Sequence, residues 1–311
     1  MRPRTPDMRR LLENAEQAAA SNGTILLTGE SGTGKSLLAR QIHLWSSRRA
    51  KPFVVIDCAI LSQQSRKREG SGWVLDTLQV GAKRVSERFG AAEGGTLFLA
   101  NIDDLSPALQ VGLAQFVQDR TLKTSEDEKT IDVRIIAASN RDLVSEVRTH
   151  RFREDLFYNL NIISLRVPAL RERPTDIVPL AMRMLATAAI RNRRGNLHLA
   201  PEAAAAITGY RWPGNVRELR NAMEAAAVLC EGETITLANL PDAIAKNALG
   251  AVTSTSSKTS LDELERQHIL RVLAESPTLG QAAATLGINV VTLYRKRKRF
   301  KLDVAIASKS R

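Results

Sequence analysis

The chain has 311 residues, which is room for one large α/β domain and one small domain. Its 45 lysines and arginines against 33 aspartates and glutamates give a formal net charge of +12, which favours a polyanionic partner; a solvated basic surface is the alternative. The apolar runs are far shorter than the ~20 residues that cross a bilayer, and the initial MRPRTPDMRR has no apolar core behind its charges. Composition therefore argues against a membrane-spanning protein and against a signal peptide.

The two cysteines, Cys58 and Cys230, lie far apart and form no ligand-like spacing with the four scattered histidines. Two isolated thiols are typical of a reduced compartment, and neither a disulfide framework nor a metal motif is predicted. We therefore expect a cytoplasmic protein with no membrane partner.

Five short apolar runs alternate with helix-like stretches as far as about residue 168. The runs are nearly continuous in apolar residues, as expected for a parallel sheet that is covered by helices on both faces. This pattern predicts an α/β domain over residues 1–169. The runs are TILLTG, PFVVID, GGTLFLA, VRIIAAS and IISLRV.

The first run leads into GESGTGKS, which fits the phosphate-loop pattern G-x-x-x-x-G-K-[ST] and precedes an amphipathic helix. The glycines allow successive backbone N–H groups to point at phosphate oxygens, and the helix that begins at Lys35 adds the positive end of its dipole. Lys35 would contact the β and γ phosphates of ATP, and Ser36 would offer its hydroxyl to Mg²⁺. A glycine-rich turn that matches by chance is the alternative. The predicted ATP-binding residues are Gly29, Glu30, Ser31, Gly32, Thr33, Gly34, Lys35 and Ser36.

The rest of the chain is predicted to be mostly helical. A helical region over residues 170–244 is followed by a Ser/Thr-rich stretch without apolar periodicity, which predicts a flexible linker over residues 245–260. A compact helical domain is then predicted over residues 261–302, with a polar tail over residues 303–311.

The last helical domain has the pattern of a helix-turn-helix. Thr278 is a candidate N-cap for LGQAAATL, Gly287 allows the tight turn after it, and NVVTLYRKRKRF forms the second helix. Val291, Leu293 and Tyr294 are predicted to hold this helix on the domain, with its other side toward the major groove of DNA. A basic helix that faces solvent or a membrane surface is the alternative. The predicted DNA-binding residues are Asn289, Thr292, Arg295, Lys296, Lys298 and Arg299.

Eight stretches of the chain together carry a family resemblance. They are GESGTGKS, HLWSSRRAKPFVVIDCA, AAEGGTLFL, VRIIAASNRDL, FREDLFYNLNII, ALRERPTDI, YRWPGNVRELRNAMEAA and TLGQAAATLGINVVTLYRKRKRF. The first seven resemble the central domain of nitrogen-regulator-C-like bacterial enhancer-binding proteins, the activators of sigma-54 RNA polymerase, and the eighth resembles their Fis-type DNA-binding domain. The resemblance runs from about residue 8 to residue 302, and no receiver or sensory domain is expected within it.

This resemblance implies an α/β AAA+ P-loop domain with a helical lid, plus a small all-α Fis-type helix-turn-helix domain. In the family this is an ATP-hydrolysing ring, with a hexamer as the candidate assembly here, that remodels RNA polymerase holoenzyme while bound to double-stranded DNA. A dimer through the DNA-binding domain and a palindromic site are also implied. Asn140 matches the family's sensor I position and Arg217 its sensor II arginine, so both are implied to bind nucleotide; an ordinary helix cap and a surface arginine are the alternatives.

The chain departs from the family at the tip of its third strand. Relatives carry an Asp that holds Mg²⁺ and a Glu that activates the attacking water, whereas this chain carries Ala100 and Asn101. Asp103 lies about 6–7 Å further along an extended chain, so it is not expected to replace them. Asp57 stands where relatives carry an Asn that gates the Glu.

Two other departures affect contacts with neighbours. Arg153 matches one of two arginine fingers that are implied to contact the γ-phosphate in the next subunit, but Asn159 replaces the other. The Gly-Ala-Phe-Thr-Gly-Ala loop that contacts sigma-54 is reduced to GA at positions 81–82, preceded by LQV. Loss of an aromatic anchor is expected to abolish that contact.

The sequence therefore predicts a sequence-specific DNA-binding transcriptional regulator that binds ATP but hydrolyses it poorly or not at all, without productive sigma-54 contact. It would act as a homo-oligomer or as a hetero-oligomer with an active relative. One alternative is an active AAA+ ATPase that remodels sigma-54 RNA polymerase, in which other residues compensate. The other is a structural or decaying paralogue that only binds DNA non-specifically.

Overall fold

The computed structural model describes residues 3–66, 89–123, 128–254, 261–276, 278–300 and 302. The chain divides into two compact units, Met1–Asn247 and Ala248–Arg311. Within the described ranges, no helix has the length and apolar character that crossing a membrane requires.

The first unit is built from strands and helices, and its last helix, Asp242–Ser254, continues past Asn247 into the second unit. The strands are β1 Ile25–Thr28, β2 Phe53–Asp57, β3 Thr96–Ala100, β4 Thr121–Lys123, β5 Glu128–Thr130, β6 Arg134–Ser139, β7 Ile163–Arg166, β8 His198–Leu199 and β9 Thr234–Ile235. The helices are α1 Pro6–Ala19, α2 Lys35–Trp45, α3 Cys58–Arg66, α4 Pro107–Asp119, α5 Leu143–Arg148, α6 Glu154–Leu160, α7 Pro174–Arg191, α8 Pro201–Gly209, α9 Asn215–Leu229 and α10 Asp242–Ser254.

A five-stranded parallel sheet forms the centre of this unit, in the order β2-β3-β6-β1-β7. All five predicted runs are strands of this sheet, so the predicted α/β class is confirmed. The register pairs Asp57, at the end of β2, with Ala100 at the end of β3. The carboxyl ends of parallel strands therefore bring these two positions to the edge at which β1 enters the phosphate loop.

The sheet is covered by apolar cores on both faces. Leu97 and Leu99 of β3 belong to a core that includes Phe116 of α4, whereas Phe98 belongs to the opposite core with Ile42 of α2. Successive side chains of a strand point to opposite faces, so a strand that is buried on both sides needs apolar residues throughout. This explains the continuous apolar runs of the sequence.

The helical region after β7 packs on itself around Trp212. The indole is fully buried, and its Nε1 donates a hydrogen bond of 2.7 Å to the carbonyl oxygen of Ile207. Helix α10 extends to Ser254 and so covers the first part of the segment predicted as a linker. The stretch DAIAKNALGAV contains four alanines, which favour a helix.

The second unit contains the predicted helix-turn-helix, in α11 Leu261–Glu275, α12 Leu279–Thr285 and α13 Val290–Arg299. The hydroxyl of Thr278 accepts a hydrogen bond of 3.3 Å from the backbone of Gln281, as predicted for an N-cap, and Gly287 turns the chain with φ of +67°.

One prediction for helix α13 is wrong. Leu293 is fully buried, but Val291 is 58% exposed and Tyr294 is 64% exposed, so neither holds the helix on the domain. With 3.6 residues per turn, a residue two positions from Leu293 lies about 160° around the helix from it. Apolar character alone did not indicate which of these side chains faces inward.

Candidate functional site

The loop between β1 and α2 has the geometry of a phosphate-binding loop. Gly29, Gly32 and Gly34 have φ of +142°, +79° and +108°, in the region that favours glycine. A Cβ on Gly29 would lie 2.4 Å from the carbonyl oxygen of Val167. One on Gly32 would lie 2.3 Å from that of Gly214. Both the turn and the close packing therefore require glycine at these two positions.

Lys35 begins helix α2 and is only 8% exposed. Its Nζ donates to the carbonyl oxygens of Gly29 (2.6 Å) and Glu30 (2.9 Å) and to Oδ1 of Asn140 (2.8 Å). Burial lowers the pKa of Lys35 to about 8, although the charge of Asp103 acts in the opposite direction. A buried cation that is bonded to neutral oxygens is suited to an anionic ligand.

Asn140 joins Lys35 to the tip of β3. Its Nδ2 donates to Oδ1 of Asn101 over 2.9 Å, and Nδ2 of Asn101 donates to Oδ1 of Asp57 over 3.0 Å. A continuous chain of side-chain hydrogen bonds thus runs from Lys35 to Asp57. Both polar ends of the Asn101 amide are engaged in it.

The pair of Asp57 and Asn101 has one carboxylate and one amide, and the carboxylate lies on β2. The family resemblance implies the reverse, with the amide at position 57 and the carboxylate at position 101. The hydrogen bond between the two positions survives such an exchange because an amide both donates and accepts. The exchange leaves the tip of β3 without an acid, since Ala100 has no polar side-chain atom.

The prediction that the chain is extended between Asn101 and Asp103 is wrong. Ile102–Asp104 form a 3-10 turn after Asn101, whose φ of +55° is left-handed. Asp103 therefore folds back and its side chain is only 2% exposed, with Oδ1 accepting from the backbone N–H of Asn140 (3.0 Å). Its Oδ2 lies 3.8 Å from Nε of Arg141. Asp103 is thus a buried carboxylate at the edge of the site.

The region predicted as the lid contacts the phosphate loop directly. Nη1 of Arg217 donates to Oγ of Ser31 over 3.2 Å, which brings the predicted sensor II arginine to the loop. Asn215 is fully buried and donates to Oε2 of Glu30 (3.1 Å) and to the carbonyl of Ser31 (3.0 Å). Arg171 forms a two-point ion pair with Glu30 and, together with the Asn215 hydrogen bond, lowers the pKa of Glu30 to about 2.

Sequence reasoning missed three of these contacts, those of Arg171, Arg173 and Asn215. Arg173 is buried, and its Nη2 donates to the carbonyl of Thr33 over 2.8 Å. Their positions in the sequence could have indicated these contacts. Both arginines lie in the short stretch between β7 and α7, and Asn215 lies two residues before the predicted sensor II arginine, Arg217.

The residues at this site provide few groups for a metal ion. Within the described ranges, no group of three or more acidic, histidine or cysteine side chains is placed to hold a metal ion. Ser36 is exposed next to Lys35, at the start of α2. One hydroxyl with nucleotide phosphates and water fits Mg²⁺, which usually retains several waters and binds through few protein groups.

The two arginine-finger positions lie at the start and in the last turn of α6. The guanidinium of Arg153 donates from Nε (3.0 Å) and Nη2 (2.7 Å) to the carboxylate of Asp155, and both side chains are exposed. Such a surface pair opens at little cost. Asn159 is half-buried and uncharged. Their role toward a neighbouring subunit stays a prediction, and positions 78–82 of the predicted sigma-54 loop lie outside the described residues.

Helix α13 presents most of the predicted DNA contacts. Exposed side chains extend along its length opposite Leu293, and three of the four predicted here are basic, which suits a polyanion. The exposed members of the predicted set on this helix are Thr292, Arg295, Lys298 and Arg299.

Two members of the predicted DNA-binding set have contacts inside the protein. Lys296 is half-buried and forms an ion pair with Glu265 of α11, which ties the second helix of the motif to the first helix of the unit. Asn289 is the N-cap of α13, and its Oδ1 accepts from the backbone of Val291 over 3.0 Å. Its amide N–H₂ group is the part that would contact DNA.

Comparison with known proteins agrees with this arrangement. The family described as Sigma-54 interaction domain matches residues 1–166, and the one described as AAA+ ATPase lid domain matches residues 171–257. The alginate biosynthesis transcriptional regulatory protein AlgB of Pseudomonas syringae pv. tomato is 45% identical over 300 residues, which are 96% of this chain and 66% of that protein. The chain belongs to the sigma-54 activator family.

This sigma-54 activator family member also matches the description Bacterial regulatory protein, Fis family, over residues 260–300. The transcriptional regulatory protein ZraR of Escherichia coli K12 is 41% identical over 299 residues, which are 95% of this chain and 68% of that protein. The crystal structure of NtrX from Brucella abortus in complex with ATP has a TM-score of 0.69 and 27% identity, and the match covers 97% of this chain and 69% of that chain.

The chain spans 66% of the length of the AlgB proteins from Pseudomonas syringae and Pseudomonas putida that it matches. The predicted AAA+ fold with a helical lid and a Fis-type helix-turn-helix is confirmed for this family member.

Proposed function

We propose that the protein is a sequence-specific, DNA-binding transcriptional regulator of the sigma-54 activator family that binds ATP with Mg²⁺ but hydrolyses it poorly or not at all. One observation carries this proposal: an intact phosphate loop lies beside a strand tip whose two catalytic positions hold Ala100 and a hydrogen-bonded Asn101. The proposal also holds that the protein does not contact sigma-54 productively, and that it acts in the cytoplasm.

Nucleotide binding rests on the charge and shape of the loop. Lys35 is a buried cation that bonds to no carboxylate among the described residues, and the β and γ phosphates would neutralise it. Arg217 already contacts the loop at Ser31 and would add a second positive charge. Ser36 would hold Mg²⁺, whose chemistry when bound is to neutralise phosphate charge. Asn140 would accept from Lys35 and keep it oriented.

The two positions that the family uses for hydrolysis, Ala100 and Asn101, carry no group that accepts a proton from water. The side-chain amide of Asn101 does not take a proton from water near neutral pH, and Asn140 and Asp57 occupy both of its polar ends. A missing general base costs about 10²–10⁴ in rate. A missing arginine finger, here at Asn159, costs about 10³–10⁵. The two losses together account for a protein that holds ATP without turning it over.

Assembly and partners follow from the proposed function. Double-stranded DNA with a palindromic site would bind a dimer through the Fis-type domain, because a two-fold protein matches two half-sites. The AAA+ unit would form a homo-oligomer, with a hexameric ring as the candidate, or a hetero-oligomer with an active relative. RNA polymerase holoenzyme is the candidate partner for regulation.

A second candidate function is an active AAA+ ATPase that remodels sigma-54 RNA polymerase. The observation that favours it is Asp103, a buried carboxylate beside Asn140 whose charge influences the pKa of Lys35. A buried acid in this place is a group of the described site that could compensate for Asn101. Turnover that Asp103→Asn abolishes would select this second function.

DNA recognition is tested by selection from a random duplex pool with the full chain, which is expected to enrich a palindrome. Arg295→Ala should then change base preference at one position by about 1–3 kcal/mol, because arginine contacts base edges. Lys298→Ala should weaken binding to all sequences about evenly and reduce the salt dependence, as loss of a phosphate contact does. Fluorescence anisotropy at several salt concentrations measures both effects.

Failure to enrich any sequence would contradict sequence-specific recognition and favour non-specific DNA binding. The opposite pattern, with base preference altered by Lys298→Ala, would mean that α13 meets DNA in a different orientation. Lys246→Ala serves as a control, because it removes an exposed lysine of α10 that pairs with Asp242 and should leave base preference unchanged.

A further inference from the structure

The outward face of α13 carries an exposed valine that the fold does not use. Leu293 is the buried residue of this helix, and Val291 and Arg295 each lie about 160° around the helix axis from it, on either side of the point opposite. Val291 is 58% exposed. It therefore lies at the centre of the outward face, in the first turn, immediately before the turn that carries Arg295.

Folding provides no reason for valine at this position. A β-branched residue is slightly worse than alanine in a helix, and an exposed one contributes little burial. The neighbouring Val290 differs, since it lies about 60° from Leu293 around the helix and is less exposed, at 45%. Val291 thus presents two methyl groups to whatever meets this face.

The surrounding charges indicate which partner meets this face of α13. Arg295 and Lys298 lie on the same face as Val291 and are exposed. A second copy of the chain that packed here would bring these like charges together, which is unfavourable. DNA offers phosphates to the basic side chains and, in the major groove, one apolar group per A·T pair, the C5-methyl of thymine.

We propose that Val291 is a specificity-determining residue that packs against a thymine methyl in each half-site, next to the base read by Arg295. This inference rests on the proposed DNA binding and deepens it. The amino-terminal residues of a recognition helix are those that contact base edges, which is where Val291 lies. The half-site is therefore expected to contain a thymine that is required for its methyl group rather than for its hydrogen bonds.

The experiment uses the full chain and duplexes enriched from a random pool. Each thymine is replaced in turn by deoxyuridine, which removes the methyl and retains base pairing. For the unmodified protein, one replacement per half-site should weaken binding about fourfold, the value of one buried methyl-sized group. For Val291→Ala the same replacement should have little effect. Val290→Ala is the matched control and should retain the full uracil effect.

Each outcome is decisive. Specific binding with no uracil effect, a uracil effect that persists in Val291→Ala, or its equal loss in Val290→Ala would overturn the inference and leave the proposed DNA-binding function intact. Enrichment of no sequence would overturn both. Sedimentation provides a further measurement: a change of oligomeric state in Val291→Ala, with an unchanged uracil effect, would assign this face to a second copy of the chain. Thermal unfolding verifies that both variants fold.

Discussion

Lys35→Ala is expected to lower the affinity for ATP at least about 100-fold. The Nζ group is the buried cation of the phosphate loop, and hydrogen bonds to charged groups contribute about 1.5–3 kcal/mol each, so loss of its phosphate contacts exceeds the 2.7 kcal/mol that corresponds to this factor. Isothermal titration calorimetry measures the effect. Lys51→Ala removes an exposed lysine after α2 and is the matched control. Equal ATP binding by Lys35→Ala and the unmodified protein would refute the assigned site.

The pH dependence of ATP binding is a second readout of the same residue. The pKa of Lys35 in the unliganded protein is about 8, below its ordinary value because of burial. The charged fraction therefore falls from about nine-tenths at pH 7 to about one-tenth at pH 9, and the affinity for ATP should fall about tenfold. The affinity falls as the pH rises because the protonated lysine is the form that binds phosphate. An affinity that does not change over this range would contradict the buried, desolvated state of Lys35.

Restoration of ATPase activity is expected to require Asp57 to change as well. Asn101→Glu alone would place a carboxylate about 3 Å from Asp57, given the 3.0 Å hydrogen bond that now joins the two side chains. Two carboxylates at that distance repel each other unless they share a proton, and a new acid that carries this proton cannot take another from water. Ala100→Asp, Asn101→Glu and Asn159→Arg should therefore yield little turnover until Asp57→Asn is added.

The four-substitution variant should then hydrolyse ATP at least about 10³-fold faster than the unmodified protein, because it regains both a general base and an arginine finger. Steady-state phosphate release compares the variants, and a double-mutant cycle on thermal unfolding tests the pair directly. Asn101→Glu should destabilise the protein by about 1–3 kcal/mol, and Asp57→Asn should remove most of that loss. Equal turnover with and without Asp57→Asn would show that this pair does not limit activity.

The sequence predicted the features that depend on local pattern. The five apolar runs became the five strands of the sheet, and the glycine spacing around Lys35 became the phosphate loop. Thr278 and Gly287 bound the first helix of the helix-turn-helix, α12, as their residue types indicate. Each of these depends on neighbours that are close in sequence.

The features that sequence missed depend on tertiary contacts. The position of Asp103 depends on the left-handed backbone conformation of Asn101, which changes the direction of the chain. The sequence around Asp103 does not indicate that conformation. The ion pair of Lys296 with Glu265 joins residues 31 positions apart. A run of basic residues did not indicate which member would face inward.

The most direct test is steady-state phosphate release by the unmodified protein with ATP and Mg²⁺, with and without its selected DNA. The account predicts bound ATP and a turnover at least about 10³-fold below that of the four-substitution variant in both conditions. Magnesium-dependent turnover comparable to that variant would contradict it, and if Asp103→Asn then abolished that turnover, the buried acid beside Asn140 would be the group responsible.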